Sequence, residues 1–268
     1  MANPCQSIID KIRALEREKS DLIRDIHDAD EGGPVHKPPV HDPEFKELTR
    51  QITQETKKLN ACLIKNASPV PMVLSVESLS SSDANDPGPF ESDEPYVLVY
   101  VLNLPSLTNP TLPRPKVVLV GPLSEVDAGE SHKAPANVLW GIDGVPRPIP
   151  KPEDIILLVA LVENDFASAA SVRTLVEVTM GAVLAVNLPS VGNRQEFVRR
   201  LRNGMEGAIQ TAVKAGFPDR DDLIDSVKEL RLGALDVAHA FHFGGTPLEL
   251  SFKGDDSHYR VTFRLKRA

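Results

Sequence analysis

Proline constrains this chain more than any other residue type. The sequence of 268 residues contains 23 prolines, and they concentrate between residues 69 and 152. A proline inside a helix removes a backbone hydrogen bond and clashes with the preceding turn, so long helices rarely contain one. We therefore expect long helices only before or after this stretch, and short strands joined by loops within it.

Before the proline-rich stretch, two runs of apolar residues recur at steps of three and four. This spacing is typical of amphipathic helices with a narrow apolar seam. Asp42 followed by Pro43 is a favourable start for the second helix, because the carboxylate caps the first turn and proline is tolerated there. Glycines and prolines at 30–41 predict a turn, so the helices should form an antiparallel hairpin. The seam residues are Ile8, Ile12, Leu15, Leu22 and Ile26 in the first run, and Phe45, Leu48, Ile52, Leu59 and Cys62 in the second.

The seam also predicts a register for this hairpin. Facing residues of an antiparallel pair have numbers with a constant sum, and a sum of 74 places apolar residues opposite one another. It also places Lys19 opposite Glu55, whereas other registers leave both charges against apolar groups, which is costly away from water. In this register Cys5 and Cys62 are separated by about seven helical positions, roughly 10 Å along the axis, which is beyond disulfide reach. We therefore expect both thiols to be free.

Beyond residue 68 the pattern changes to short apolar, β-branched runs separated by proline and acidic loops. This alternation of strand and turn signals predicts an antiparallel sandwich. Near the end of the chain, residues 248–252 and 259–265 alternate apolar with polar around the turn at 254–257, which predicts a β-hairpin with one buried face. Trp140 should pack in the core. The earlier predicted strands are Met72–Leu79, Tyr96–Leu104, Val117–Gly121, Asn137–Ile142 and Ile155–Glu163.

Helical periodicity returns between the predicted strands. Residues 171–186 are apolar enough for a buried helix, and Asn193 begins a second helix that ends at Gly216. Residues 222–230 predict a short helix or a loop, and residues 235–243 are strand-like. The sequence thus predicts an α+β fold: an antiparallel helical hairpin at 1–67, and an antiparallel β-sandwich-like body at 68–268 with a helical insertion at about 168–230.

The negative charge of the chain is concentrated in its middle third. The formal net charge is −8, and residues 68–170 contain five basic and fourteen acidic residues. Such a field repels nucleic acid and anionic lipid. One local exception is a cluster of basic residues: Arg194, Arg199, Arg200 and Arg202. We interpret this cluster as the solvated face of a helix in preference to a phosphate site.

The sequence favours an intracellular, cytoplasmic protein. The N-terminus has no apolar segment typical of a leader peptide, and two cysteines do not make a disulfide framework. Residues 155–162 are too short to span a membrane, and residues 178–191 are interrupted by Asn187 and Pro189. No spanning helix is therefore expected.

The strongest candidate site is acidic. Hard cations such as Ca²⁺ prefer six to eight oxygen ligands, often carboxylates that converge from loops. If the loops after the strand at 155–163, at 219–225 and at the final turn met at one end of the sandwich, they could bind calcium. This arrangement resembles C2-type sandwiches, which bind calcium between loops, although the ordered aspartate spacing of that family is not matched. The alternative is that these residues cap helices and turns. The candidate ligands are Asp165, Asp219, Asp221, Asp222, Asp225, Asp255 and Asp256.

The histidines suggest a weaker, alternative metal site. Three imidazoles could bind Zn²⁺, and His27, His36 and His41 lie near the predicted turn of the hairpin. His239 and His242 would lie on opposite faces of a strand, which disfavours joint ligation. The phosphate-loop, metalloprotease, nucleophile-elbow and paired-cysteine motifs are absent from the sequence.

These observations favour a non-catalytic binding or assembly module. Its helical hairpin would associate with a protein partner or a second copy through residues 5–65, and the body could hold a loop cation site. An alternative is a membrane-active protein, lipid-binding or pore-forming, in which the hairpin or residues 178–191 enter lipid. A further alternative is a hydrolase that uses dispersed acidic residues.

Overall fold

A computed structural model describes most of the chain and divides it into two compact units, Met1–Ser68 and Pro69–Ala268. For residues 25–29 and 214–216 only the backbone is described. The described residues are 4–29, 42–82, 94–109, 112–123, 126, 129–141, 145–163, 168–216, 223–254 and 258–268.

The first unit is a helical hairpin of α1 (Gln6–Ala29) and α2 (Pro43–Asn66). The predicted cap of α2 is confirmed: the Asp42 carboxylate accepts hydrogen bonds from the amides of Glu44 and Phe45, at 2.7 and 3.1 Å. Each helix turns an apolar seam toward the other, with Leu15 and Leu48 buried. The antiparallel hairpin is therefore as the apolar periodicity predicts.

The predicted register of the hairpin is wrong. Cys5 and Cys62 form a disulfide, with their Cα atoms 6.0 Å apart, so the expectation of two free thiols is also wrong. Lys11 Nζ lies 2.8 Å from Glu55 Oε1, and Lys19 lies over the ring of Phe45 instead, 4.4 Å from its centroid.

The reason for the register error is the periodicity itself. Facing residues have numbers that add to 64–67, not 74. A slip of about two helical turns brings the same faces back to the seam, because apolar residues recur every three to four positions. The seam periodicity therefore selects a face but cannot select between registers two turns apart.

The second unit contains two antiparallel sheets that form a sandwich. One sheet has the strand order β4-β1-β9-β8, with β5 also paired to β1, and the other has the order β3-β2-β6-β7. The strands are β1 (Pro71–Ser81), β2 (Tyr96–Asn103), β3 (Lys116–Val120), β4 (Ser131–Lys133), β5 (Arg147–Pro148), β6 (Ile155–Val162), β7 (Lys228–Leu230), β8 (Thr246–Lys253) and β9 (His258–Arg267).

The second sheet is covered on both faces. All eight residues of β6 are buried, which explains why this strand is a continuous apolar run instead of an alternating one. Leu157 and Val159 pack into the core between the sheets, whereas Leu158 and Ala160 pack against helices. The layers are therefore sheet, sheet and helices.

Those helices are α3 (Ala169–Asn187) and α4 (Arg194–Gly216), which lie in the chain between β6 and β7 and confirm the helical insertion. They run antiparallel and are in close contact at Gly204, where an added Cβ would lie 2.5 Å from Val183 Cγ1. Short 3₁₀ helices of three or four residues also occur at Leu104–Leu107, Pro152–Asp154 and Leu188–Ser190.

The terminal hairpin of β8 and β9 is confirmed, and it pairs with β1 along almost the whole length of β9. The amide of Ala268 donates to the carbonyl of Pro71, at 3.0 Å. The two ends of this unit therefore meet on neighbouring strands.

Three local predictions in the body are wrong. The stretch 222–230, predicted as a short helix or a loop, ends in the strand β7, which pairs with β6. Residues 137–141 are irregular, because the Asn137 side chain bonds both the amide and the carbonyl of Val76, at 2.8 and 2.9 Å, in place of a strand. The strand-like stretch 235–243 is the helix α5 (Ala234–Phe243), which begins where Asp236 accepts from the Gly233 amide and ends at the left-handed Gly244. Trp140 is buried as expected, and its indole donates to the Arg147 carbonyl at 3.0 Å.

Candidate functional site

Most of the predicted acidic site lies outside the described residues. Asp225 is the described member, and the others, for which the calcium site stays a prediction, are Asp165, Asp219, Asp221, Asp222, Asp255 and Asp256. Among the residues that the structure describes, no group of three His, Cys, Asp or Glu side chains could hold a metal ion.

Asp225 uses its carboxylate to join two segments of the body. One oxygen accepts from the Ser226 amide at 2.6 Å, and the other accepts from the Lys253 amide at 2.9 Å and from Lys228 Nζ at 2.8 Å. Burial disfavours ionisation, but the bonds from Lys228 and the two amides outweigh it, so the pKa of Asp225 is lowered. These bonds already occupy the carboxylate, so Asp225 is better explained as a structural anchor than as a metal ligand.

The described residues beside the three acidic loops do meet at one end of the sandwich. Leu223 forms a β-bridge with Val162, the last residue of β6, and the Ile224 amide donates to Leu161 at 3.0 Å. Asp225 then reaches Lys253, the last residue of β8. The described ends of the three loops therefore lie close together, and convergence of the aspartates on a cation stays a prediction.

The alternative histidine site is not assembled in the part of the chain that the structure describes. The side chain of His27, together with His36 and His41, lies outside that part. His239 and His242 lie three residues apart on α5, so they share a helical face and do not lie on opposite strand faces. His239 packs edge-on to Phe243, with ring centroids 5.4 Å apart, which gives it a packing role.

The most exposed apolar region that the structure describes is on α3 and the turn after it. Eight large apolar side chains are exposed in the described residues, and five of them lie between residues 175 and 191. Val178 and Val186 are 68% and 77% exposed. We call the five side chains the α3 surface: Leu175, Val178, Val186, Leu188 and Val191.

The opposite face of α3 holds the helix to the body. Val172, Val176 and Met180 are buried in the core formed with the second sheet and α4. None of the exposed positions of α3 carries a charge, and its ionisable residues Arg173 and Glu177 pair with each other at its side, at 2.6 Å. Gly181 also lies on the exposed side, where a Cβ would meet nothing within 4 Å. The helix is therefore apolar on both faces.

By length and composition, α3 and its following turn could cross a membrane. The segment Ala169–Ser190 has a mean hydropathy of 1.5, and 22% of its most apolar stretch of 18 residues is buried in the structure. The prediction of no spanning helix takes this segment to begin at Val178, which leaves out its first half. The apolar composition of residues 171–186 also predicts a buried helix, since helices apolar all round are usually interior.

Arg200 lies beside the last turn of α3. Arg200 Nη1 is 3.5 Å from the side-chain oxygen of Asn187, the last residue of α3. Glu196 accepts from Arg199 at 2.7 and 2.8 Å and from Arg200 at 2.6 Å. These bonds from Arg199 and Arg200 lower the pKa of Glu196 to about 2. Arg194 has a different role, because it bonds Glu229 and the carbonyls of Glu153 and Ile155.

Comparisons with known proteins identify no family for this chain. No family model matches, and no curated protein matches. A solved structure, the C2A domain of a plant Extended Synaptotagmin 1, matches with a TM-score of 0.29 and 10% identity over 75% of this chain and 98% of that one. At this TM-score the similarity carries no argument, and the sandwich rests on the strand order and registers given above.

Proposed function

We propose that this protein is a non-catalytic binding module that docks on lipid surfaces through the α3 surface. The observation that carries the proposal is a helix, apolar on two faces, that together with the turn after it exposes five large apolar side chains to water. Contiguous exposed apolar surface is uncommon on soluble proteins and is typical of interaction sites. Transfer of these side chains into the interfacial region of a bilayer would remove them from water.

Lipid docking of this kind would be peripheral. Val172, Val176 and Met180 on the opposite face of α3 are almost fully buried. Full insertion would withdraw these side chains from the core, whereas docking in the plane of the membrane leaves them in place. We therefore propose that α3 lies on the bilayer and stays packed on the second sheet.

Vesicle flotation of the full chain tests this proposal. The variant with Val178→Gln and Val186→Gln keeps good helix formers at exposed positions and removes the apolar side chains. We expect it to lose roughly tenfold or more of the affinity for mixed phosphatidylcholine and phosphatidylserine vesicles. A matched control, Asn203→Gln with Thr211→Gln, changes two exposed positions of α4 and should bind like the native protein. Equal binding by the native protein and the valine variant would contradict the proposal.

Association through residues 5–65 is a second candidate for this binding module. It is favoured by the self-contained hairpin, which is closed by the Cys5–Cys62 disulfide. Within its described residues, however, Ile64 is the one large apolar side chain that is exposed. Sedimentation of the full chain at several concentrations tests association, and a constant monomer mass would remove this candidate.

The remaining hypotheses are a loop cation site and a hydrolase with dispersed acidic residues. Flotation with and without calcium tests the first, since a bridging cation would strengthen binding to anionic lipid. The cytoplasmic location also stays a prediction, and the disulfide weakens its basis, because stable disulfides are rare in reducing compartments.

A further inference from the structure

We propose that Arg199 and Arg200 make the docking of α3 selective for anionic lipid headgroups. This inference rests on the proposed lipid docking and adds the chemistry of the headgroup that the protein recognises. It concerns the basic cluster that the sequence analysis interprets as a solvated helix face.

The position of Arg200 supports this proposal. Its Nη1 is 3.5 Å from the side-chain oxygen of Asn187, which lies in the chain between the exposed Val186 and Leu188. The Arg200 guanidinium therefore lies beside the last turn of α3. When apolar side chains enter the acyl boundary, groups at their border lie at headgroup depth, where basic residues bind phosphates.

The hydrogen bonds of the two guanidinium groups also support the proposal. Arg199 bonds Glu196 through Nε and Nη2, and Arg200 bonds it through Nε. A guanidinium has five N–H donors, so each arginine has donors left over after these bonds. Their side chains are 60% and 49% exposed. One carboxylate is thus shared by two exposed cations, which leaves a net positive charge on this part of α4.

Charge complementarity also supports lipid, and favours it over a second copy. Residues 169–216, which contain α3 and α4, have six basic and three acidic residues, in a chain whose net charge is −8. Two copies that met through α3 would bring two positive helix pairs together, whereas an anionic leaflet attracts them. The basic residues are Arg173, Arg194, Arg199, Arg200, Arg202 and Lys214, and the acidic residues are Glu177, Glu196 and Glu206.

The test measures affinity across phosphatidylcholine vesicles with a rising fraction of phosphatidylserine. For the native protein we expect affinity to rise steeply with that fraction. Arg199→Gln with Arg200→Gln should flatten the rise and cost about tenfold on the most anionic vesicles. Glu196→Gln should instead steepen it and raise affinity several-fold, because it removes the shared carboxylate, an effect that a merely structural role would not produce.

Controls separate this inference from the docking proposal. Arg231→Gln with Arg260→Gln removes two exposed, ion-paired cations elsewhere in the body and should leave the slope unchanged. The valine variant should lower affinity at every lipid fraction without changing the slope. A native affinity that is independent of phosphatidylserine, or an arginine variant with the native slope, would overturn the headgroup inference alone. Native protein that binds no vesicle would overturn both proposals.

Discussion

The two helical hairpins of this protein, α1–α2 and α3–α4, have the same antiparallel arrangement but are held together in different ways. The first pair is joined by a disulfide and by a salt bridge between Lys11 and Glu55. The second pair has neither kind of cross-link among its described residues, and it is joined by close packing at Gly204 and Val183.

The outward faces of the two hairpins differ in polarity. The described outer positions of α1 and α2 are mostly charged or polar, whereas α3 exposes valine and leucine. The comparison shows that the helical period alone does not reveal which face of a hairpin is available for binding. A hairpin that is cross-linked can be polar outside, and one that packs on a sheet can expose a second apolar face.

The largest expected effect is loss of the disulfide. Its sequence separation of 57 residues corresponds to about 4 kcal/mol of stabilisation by loop closure. Cys5→Ser with Cys62→Ser should lower the opening free energy of α1 and α2 by about this amount, as measured by amide hydrogen exchange on the full chain. The amides of α3 and α4 serve as the internal control. Unchanged hydrogen exchange in α1 and α2 would mean that the salt bridge and the apolar seam hold the two helices together without the disulfide.

The next effect sharpens the comparison on the α3–α4 side. Gly204→Ala places a methyl group against Val183, and the overpacking should destabilise the protein by about 1–3 kcal/mol in denaturant unfolding. Gly207→Ala is the matched control on the same helix, because nothing lies within 4 Å of its added Cβ. It should stabilise the protein by about 0.5–1 kcal/mol. Equal effects of the two variants would argue against close packing of α3 on α4.

A smaller effect compares the starts of α2 and α4. The side chain of Asp42 caps α2, and that of Asn193 accepts from the Glu196 amide at 3.2 Å at the start of α4. Replacement of either residue by alanine should cost about 1 kcal/mol, detected as faster hydrogen exchange in the first turn of the affected helix only. Loss of protection along the whole of α4 would show that its cap supports more than one turn.

The smallest effect is the pH dependence of the two bridging carboxylates. Bonds from Lys11 and Lys58 lower the pKa of Glu55, and bonds from Arg199 and Arg200 lower that of Glu196 to about 2. A carboxylate whose pKa is lowered on folding stabilises the folded state at pH values above its ordinary pKa of 4.5. This stabilisation is lost as the pH falls through the pKa of the folded state. Acid should therefore weaken both contacts, but only Glu55 joins two helices.

Glu55→Gln tests this difference. It should remove part of the acid sensitivity of exchange in both α1 and α2, whereas Glu196→Gln should alter only the first turns of α4. If Glu55→Gln left the acid sensitivity of α1 unchanged, the Lys11 contact would have no role in fastening the hairpin.

The parts of the fold that were predictable are those in which burial imposes a strict pattern. The run at 155–162 and the alternation at 259–265 predict β6 and β9 because each reports how many faces of a strand are covered. The segment at Asn137 could not be predicted, since a side-chain amide takes the place of a strand partner. Residues 235–243 were mistaken for a strand because a short apolar run has no clear period.

The candidate site was less predictable than the fold. Nothing in the composition of α3 says which of its two apolar faces the sheet will cover, so its exposed surface was not foreseen. A useful signal was present, since Leu175, Val178 and Val186 form a stripe separate from that of Val172, Val176 and Met180. The predicted calcium ligands, apart from Asp225, stay outside what the structure describes.

The hydrogen bond between Ala268 and Pro71 has a topological consequence. Residue 268 and the start of the second unit therefore lie close together in space. A circular permutation of this unit is therefore possible: a short linker could join residue 268 to residue 69, and new termini could be placed in another loop without altering any strand pairing. The strand order in the two sheets would be the same in such a permuted protein.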